Sequence, residues 1–467
     1  MPTSYFRLLS LVTLLGFSAS IVSQTALADN NNNKDNSITN TSSTGTSTIT
    51  SPTPVTNTTA IDDLYKTIGD FIKQSTINGD IRSYFFSRNF HEVATKYDDP
   101  SQEAYSLGGN LRILTAPFLG GFQAGAALYT AQDLDVNSDN PKHVDQTLPG
   151  DAVTVLGQLY LQYKRGPFMI RGGDQLINTP WMGPADSRMI PATYRGFYGT
   201  WTPTDHWTVS ALRMFEFKAR VADSFSATNL YNPANLGQAI KGLGDTTDDG
   251  AQALGVNYKT DAIAAQLWGY QFFDFGKMLY GDAQYTYKQG GSIHPLIGVQ
   301  GLTEGGDGDN TLAQVSTGAA RANALGAIAG VEVPFGRFTV AWNKLYSSDN
   351  AFNHGDIVSP YTAGYASDPL YTTSMIAGLV EKAPGDAFKI SATLFAFDKQ
   401  LTFSTSYARY YTQPFFPNTA ETDLDITYTF KSKLLKGFSI RNRLGIQTGD
   451  PSKGHFYNNR VMLQYSF

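Results

Sequence analysis

Arg441 and Arg443 stand two residues apart, with Ser439 and Gln447, opposite a face formed by Phe438, Ile440, Asn442, Leu444 and Ile446. A guanidinium stays charged at any working pH and holds a carboxylate through two parallel hydrogen bonds. A row of them is therefore suited to binding and passing anions rather than to breaking bonds. Arg112, Arg171 and Arg460 also lie on polar faces of alternating segments, and Arg188 and Arg195 stand in or beside a Pro-broken segment. Asp174 and Asp186 are placed to set a field across the same region. Each arginine also has a plainer reading, in which it only neutralises a nearby Asp or Glu, but as a group they favour a track for anions.

Signals for catalysis are weak. The chain has no Gly-x-Ser-x-Gly elbow, no His-Glu-x-x-His and no phosphate loop, and His91, His143, His206, His294, His354 and His455 are scattered singly. The acidic stretches Asp245 to Gly250 and Asp307-Gly308-Asp309-Asn310 lack the spacing of a full calcium loop and read as solvated loops. No cofactor or metal is called for. A net charge of −5 over 467 residues argues against a polyanionic partner such as nucleic acid.

The elements that position the arginines are strands. At the C-terminus Val461, Leu463, Tyr465 and Phe467 share one face, while Arg460, Met462, Gln464 and Ser466 share the other. An oily face backed by arginine fits a barrel wall with lipid outside and water inside. A charge on the lipid side would cost about 2–4 kcal/mol at the midplane, which sends the arginines inward. Leu424, Ile426, Tyr428 and Phe430 alternate with Asp425, Thr427 and Thr429 in the same way. Val153, Val155, Gly157, Leu159, Leu161 and Tyr163 are read as one face against Thr154, Gln158, Tyr160, Gln162 and Lys164, with Leu156 as the exception. Aromatic residues make up 13% of the chain and cysteine is absent, so an exported chain of this kind needs a large core or a closed sheet in place of disulfides.

Connections fall into two lengths. Tight turns are expected at Arg165-Gly166-Pro167, Thr202-Pro203-Thr204-Asp205, Lys259-Thr260-Asp261, Pro334-Phe335-Gly336 and Asp398-Lys399-Gln400. Long polar stretches are expected near 131–152, 222–250, 288–320 and 346–387. That sorting predicts an all-β, transmembrane antiparallel β-barrel over 76–467, with about 18 strands. Ahead of it, Arg7, the apolar run Leu8 to Val22 and Ala26-Leu27-Ala28 read as a signal peptide cleaved after Ala28. Residues 29–60, rich in Asn, Ser and Thr, read as a disordered leader, and 61–75 as a short amphipathic helix that docks as a plug or oligomer contact, or simply packs at the rim. Trp201, Trp207 and Trp268 are assigned to an aromatic girdle. Trp181 either joins them or narrows the pore.

The segment Arg171 to Trp201 is broken by Pro180, Pro184 and Pro191, carries Asp186-Ser187-Arg188, and resumes at Tyr194, as expected of a long loop folded into the lumen. Here the sequence resembles the OprD family of outer-membrane porins, in which a Pro-bounded loop with Ser-Arg followed by Pro, and a Gly shortly after (here Gly196), forms the constriction. The run Arg82 to Phe90 resembles that family's first strand, and Asn232-Pro233 falls in a matching place. The resemblance implies a substrate-preferring diffusion channel in a bacterial outer membrane, with a constriction drawn from Trp181, Asp186, Ser187, Arg188 and Pro191. It implies permeants that are small nutrients, many bearing a carboxylate. Tyr465-x-Phe467 resembles the C-terminal signal read by the barrel-assembly machinery. Lipid and lipopolysaccharide are the expected surroundings, the assembly is left as monomer or homotrimer, and sugars remain an alternative permeant. A barrel acting mainly in adhesion through its external loops is the other class of function.

Overall fold

The computed structural model describes residues 67–91, 101–140, 143–145, 147–148, 152–240, 243, 248–315, 318–452 and 454–467. The expected signal peptide and leader lie outside the described residues, as do positions 61–66 of the expected helix. Helical backbone runs over 67–74. It packs on the turn that follows β2, where Phe71 meets Phe118 at 6.4 Å and the Ala116 N–H donates to Ser75 Oγ at 2.9 Å.

Eighteen strands follow: β1 (Thr76–His91), β2 (Ser101–Leu114), β3 (Phe122–Gln132), β4 (Val153–Arg165), β5 (Phe168–Gln175), β6 (Thr193–Thr204), β7 (Trp207–Lys218), β8 (Ala251–Lys259), β9 (Ile263–Phe272), β10 (Gly276–Thr286), β11 (His294–Gly305), β12 (Asn323–Val333), β13 (Gly336–Tyr346), β14 (Gly385–Ala396), β15 (Leu401–Tyr411), β16 (Thr419–Thr429), β17 (Phe438–Asp450) and β18 (Gly454–Ser466). Each strand pairs antiparallel with the next, and β1 pairs with β18 from Asp80↔Ser466 to His91↔His455, so the sheet closes on itself without an edge.

All five expected tight turns join consecutive strands, at the end of the barrel where Gly79 and Phe467 bond to each other's backbone. The opposite end carries the long connections 133–152, 176–192, 219–250, 306–322 and 347–384. The stretch 288–320 is not one loop, because β11 runs through its middle. Its Gly298 and Gly301 diluted the alternation on which the sequence reading relied. Outward-facing Leu159, Leu161, Ile297, Val299, Val340 and Ile390 are about half exposed or more and belong to a continuous apolar belt, far more than a soluble surface carries. Trp201 stacks on Phe168 at 5.9 Å at the short-turn rim, and Trp207 is exposed beside it, as expected of a girdle.

Strand β4 corrects the single face expected for Val153 to Tyr163. Ala127 of β3 pairs with Gln158 and Leu128 with Leu156, which leaves Gly157 as an extra residue in a bulge. The faces therefore switch at Gly157. Val155 is buried inside while Leu156, Leu159 and Leu161 are exposed outside, so Leu156 marks the switch rather than an exception. Gly157 is tolerated there because the Tyr129 ring takes the place a side chain would need.

The interior is not uniformly wet. On β7 to β10, inward positions are apolar as well: Leu212, Met214, Trp268, Tyr270, Phe272, Met278 and Tyr280 are all buried, joined by Trp181, Tyr231 and Tyr361 from inward-folded loops. Trp268 thus sits inside the barrel and not in the girdle to which the sequence assigned it. Its ring lies against Gly255, where a methyl group would fall 2.2 Å from the indole. Gly255→Leu is expected to evict Trp268 and cost about 1–3 kcal/mol by overpacking. A lowered temperature for loss of the compact, heat-modifiable band in gel electrophoresis would check this, and an unchanged one would refute it.

Candidate functional site

Segment 176–192, between β5 and β6, folds into the lumen and is held by side chains of β1 on one flank and of β7 and the residues after it on the other. Arg82 of β1 clasps Asp186 with both guanidinium arms, Nη1 to Oδ1 at 2.6 Å and Nη2 to Oδ2 at 2.9 Å, and donates to the Arg188 carbonyl at 3.0 Å. Its Nε lies 2.9 Å from Asp80. Tyr84 OH donates to the Ser187 carbonyl at 2.9 Å, Arg220 Nη1 to Ser187 Oγ at 3.2 Å, and Lys218 Nζ to the Pro191 carbonyl at 3.3 Å. Trp181 anchors the segment to β9 and β10. It is wholly buried, edge-on to Tyr280 at 5.8 Å, so it fastens the loop to the wall instead of edging the pore.

A second segment, 347–384 between β13 and β14, also folds inward. A buried loop must find partners for its backbone N–H groups, and five wall side chains supply them. Val358 N donates to Glu304 Oε2 (2.8 Å), Tyr371 N to Gln300 Oε1 (2.9 Å), Thr372 N to Asn343 Oδ1 (3.0 Å), Met375 N to Asp423 Oδ2 (3.1 Å) and Ile376 N to Glu421 Oε1 (2.6 Å). The expected long polar stretch near 346–387 is thus largely an inward-folded segment. The density of apolar residues in it, Tyr361, Leu370, Leu379 and Val380, was the available signal.

Between the two loops and the wall of β14 to β18 lies a cavity of about 500 Å³. Asp186, Ser187, Arg441, Arg443 and Arg460 line one side, and Lys389, Ser391, Ser404, Ser406 and Asp423 the other. Arg441 grips Asp425 with two bonds, at 2.9 and 2.6 Å, and Arg443 Nε lies 3.1 Å from the same carboxylate. Behind them Arg188 and Arg460 flank the buried Phe86 ring, at 4.6 and 5.4 Å, with its negative π-face toward the cations. Arg220 stacks on Tyr365 at 3.5 Å. Among the described residues, Arg188, Arg220 and Arg460 have no carboxylate within ion-pair reach. Burial without a counter-charge pulls Arg220 down to about 10.

The other expected residues are placed as follows. Arg112 points inward 3.8 Å from Asp80, and Arg171 points inward but is spent on Gln162 Oε1, at 2.8 Å, and on the Tyr160 ring, at 4.1 Å; neither lines the cavity. Arg195 and Asp174 were expected in the pore, but both lie on the outer face, in step with exposed Phe197 and Ile170. Arg195 is paired there to Asp174 and Glu216, each at 2.6 Å. Mutual neutralisation near the strand ends is what makes an outward charge tolerable. Arg82, Phe86 and Arg220 were absent from the expected set. Arg82 and Phe86 stand on the inward parity of β1, which the sequence offered without distinguishing them. Tyr465 and Phe467 stack at 6.1 Å at the short-turn rim. Asp307, from one acidic stretch, binds Lys277 at 2.6 Å and Gln271. No group of three or more acidic or histidine side chains converges on a metal position among the described residues.

Asp368 and Glu381, both on segment 347–384, have their carboxyls pushed above the ordinary range, by burial first and, for Glu381, then by the neighbouring Asp368. An acid raised on folding favours the packed state while protonated, so its contribution is full below the unfolded carboxylate range and declines as pH rises through that range and beyond it. Amide hydrogen exchange in 347–384, corrected for intrinsic rate, is therefore expected to be slower at pH 5 than at pH 8. Faster exchange at pH 5 would contradict the assignment.

Residues 69–376 match the family model for outer membrane porins of the OprD family. A comparison with curated proteins gave no match. Among solved structures, OccK9 (OpdG) of Pseudomonas aeruginosa superposes with a TM-score of 0.72 at 18% identity, over 85% of this chain and 99% of that one. The BenF-like porin from Pseudomonas fluorescens Pf-5 gives 0.69 at 16%, and OpdK of Pseudomonas aeruginosa, solved with vanillate, gives 0.67 at 15%, each over 85% of this chain and 99% of its own. At such identities these structures show a shared fold. The family match takes in more than half of the chain, including β1 and both lumenal loops as far as Ile376, and on that ground the chain belongs to the OprD family of outer-membrane porins.

Proposed function

We propose that this outer-membrane porin passes small solutes bearing a carboxylate by passive diffusion, selecting them at the cavity between segments 176–192 and 347–384. The observation that carries the reading is a group of buried arginines without counter-charge: Arg188, Arg220 and Arg460 have no acidic partner among the described residues, and Arg460 lines the cavity. Uncompensated guanidinium in a narrow, partly dry passage favours an entering anion, and the two-pronged geometry favours a carboxylate. Arg441 and Arg443, sharing one Asp425, supply the next step of the path. The hydroxyls of Ser391, Ser404 and Ser406 on the neighbouring strands β14 and β15 stand in for water without adding charge. OpdK having been solved with vanillate, an aromatic carboxylate, agrees with this class of permeant. The N-terminal export segment and the C-terminal Tyr465 and Phe467 belong to the same reading, as the signals for secretion and for barrel assembly.

Reversal potentials in a salt gradient and block by benzoate test it. Arg460→Gln and Arg188→Gln should each shift selectivity away from anions and raise the half-blocking benzoate concentration about tenfold, the loss of one charge-assisted contact. Arg171→Gln should move both far less. Unchanged selectivity in Arg460→Gln and Arg188→Gln would remove the proposal.

A further inference from the structure

The outer wall carries a second charged cluster that permeation does not use. On β13, β14 and β15, at the end with the long connections, Lys344, Asp386 and Arg409 all face outward. Lys344 stands opposite Asp386, and Phe388 stands opposite Arg409. Lys344 Nζ is 2.5 Å from Asp386 Oδ2, and Trp342 Nε1 donates to the other oxygen of that carboxylate at 3.1 Å. Arg409 lies over the Tyr411 ring at 5.3 Å and has no acidic partner among the described residues. Of the two cations only Lys344 reaches the carboxylate, and the rings of Tyr411 and Phe388 are about half exposed beside them. An outward arginine without a counter-charge is costly beside acyl chains unless an anion meets it at the membrane surface.

One step toward the membrane midplane on the same strands, Val340, Ile390 and Tyr407 frame a groove of about 600 Å³. Its floor is lowered by small residues, Ala329, Ala392 and Thr405. A cation at the membrane surface directly above a narrow apolar channel matches a lipid that carries phosphate on its headgroup and a chain below. The long connections mark this rim as the outer one, where the leaflet lipid is a phosphorylated, acylated saccharide. We propose that this face binds one such phosphoglycolipid, with its phosphate at Arg409 and Lys344, its sugar against Tyr411 and Phe388, and one acyl chain in the groove. A second copy of the barrel is the competing occupant. The concave groove and its unpaired cation favour the lipid, since a facing copy would bring an identical positive charge.

The full chain, purified in detergent, is titrated with bisphosphorylated lipid A, the same lipid dephosphorylated, and phosphatidylglycerol, with bound lipid read by native mass spectrometry. Saturable binding of one lipid A is expected. Removing the lipid's phosphates, or the double change Arg409→Gln and Lys344→Gln, should weaken it about tenfold or more. Ile390→Trp, which fills the groove and leaves both cations, should weaken it to a similar degree. Single-channel conductance should be unchanged in these variants, because none touches the lumen, and this also certifies the fold. Equal affinity for the dephosphorylated lipid or for phosphatidylglycerol would overturn the proposal. So would binding indifferent to all of these variants, or an oligomer of this chain that occupies the face and is dispersed by Ile390→Trp.

Discussion

The two-armed bond between Arg82 and Asp186 joins β1 to segment 176–192 inside the lumen, and the passage owes its shape to it. Other bonds share the load, from Tyr84 and Arg220 to Ser187 and from Lys218 to the Pro191 carbonyl, but among the described residues only Arg82 meets the charge of Asp186. With that pair formed, the backbone from Asp186 to Met189 is drawn against β1, where Tyr84 and Arg220 hold Ser187 and Arg188 comes to rest on Phe86. The ion pair also uses up the acid. Asp80 and Asp186 neutralise Arg82, Asp425 serves both Arg441 and Arg443, and among the described residues no carboxylate lies within ion-pair reach of Arg188, Arg220 or Arg460.

The barrel carries out two opposed tasks in its two halves. On β7 to β10 both faces are apolar, lipid outside and an aromatic core inside, so this half is a packed support comparable to the interior of a soluble domain. The half from β14 round to β1 keeps polar residues inside and bounds the open cavity. Two loops that would otherwise be mobile are buried against the packed half and satisfied by wall side chains, which confines the passage to one side of the tube. The cavity is bounded by one strip of wall, β14 to β18, which sets its charge.

Much of this was legible in the sequence. Alternation at Leu424–Phe430, Phe438–Gln447 and Val461–Phe467 put Asp425, Arg441, Arg443 and Arg460 inside correctly, because those strands have water on one face and lipid on the other, and each residue type can satisfy only one of them. The five tight turns were readable for their fixed turn chemistry, and the Pro-broken segment for its inability to continue a strand. What failed has physical causes. At Gly157 a bulge adds one residue and exchanges the faces, which no periodicity of two can anticipate. Trp268 misled because an aromatic in a strand fits a girdle and an inner core equally well until the core is known. Arg195 and Asp174 misled because a charge was assumed to need water, whereas across-strand pairing near the rim also satisfies it. The inward fold of 347–384 was hidden because four of its anchors, Gln300, Glu304, Glu421 and Asp423, lie on strands that do not adjoin it in the chain.

The central claim is that one ion pair inside the lumen holds the constriction, and a double-mutant cycle on open-channel conductance tests it most directly. Arg82→Gln and Asp186→Asn should each raise conductance and current noise by a similar amount, and the double variant should resemble either single one, since the second change has no bond left to break. Singles that leave conductance and noise as in the parent protein, or effects that simply add, would show that the loop is held by something else.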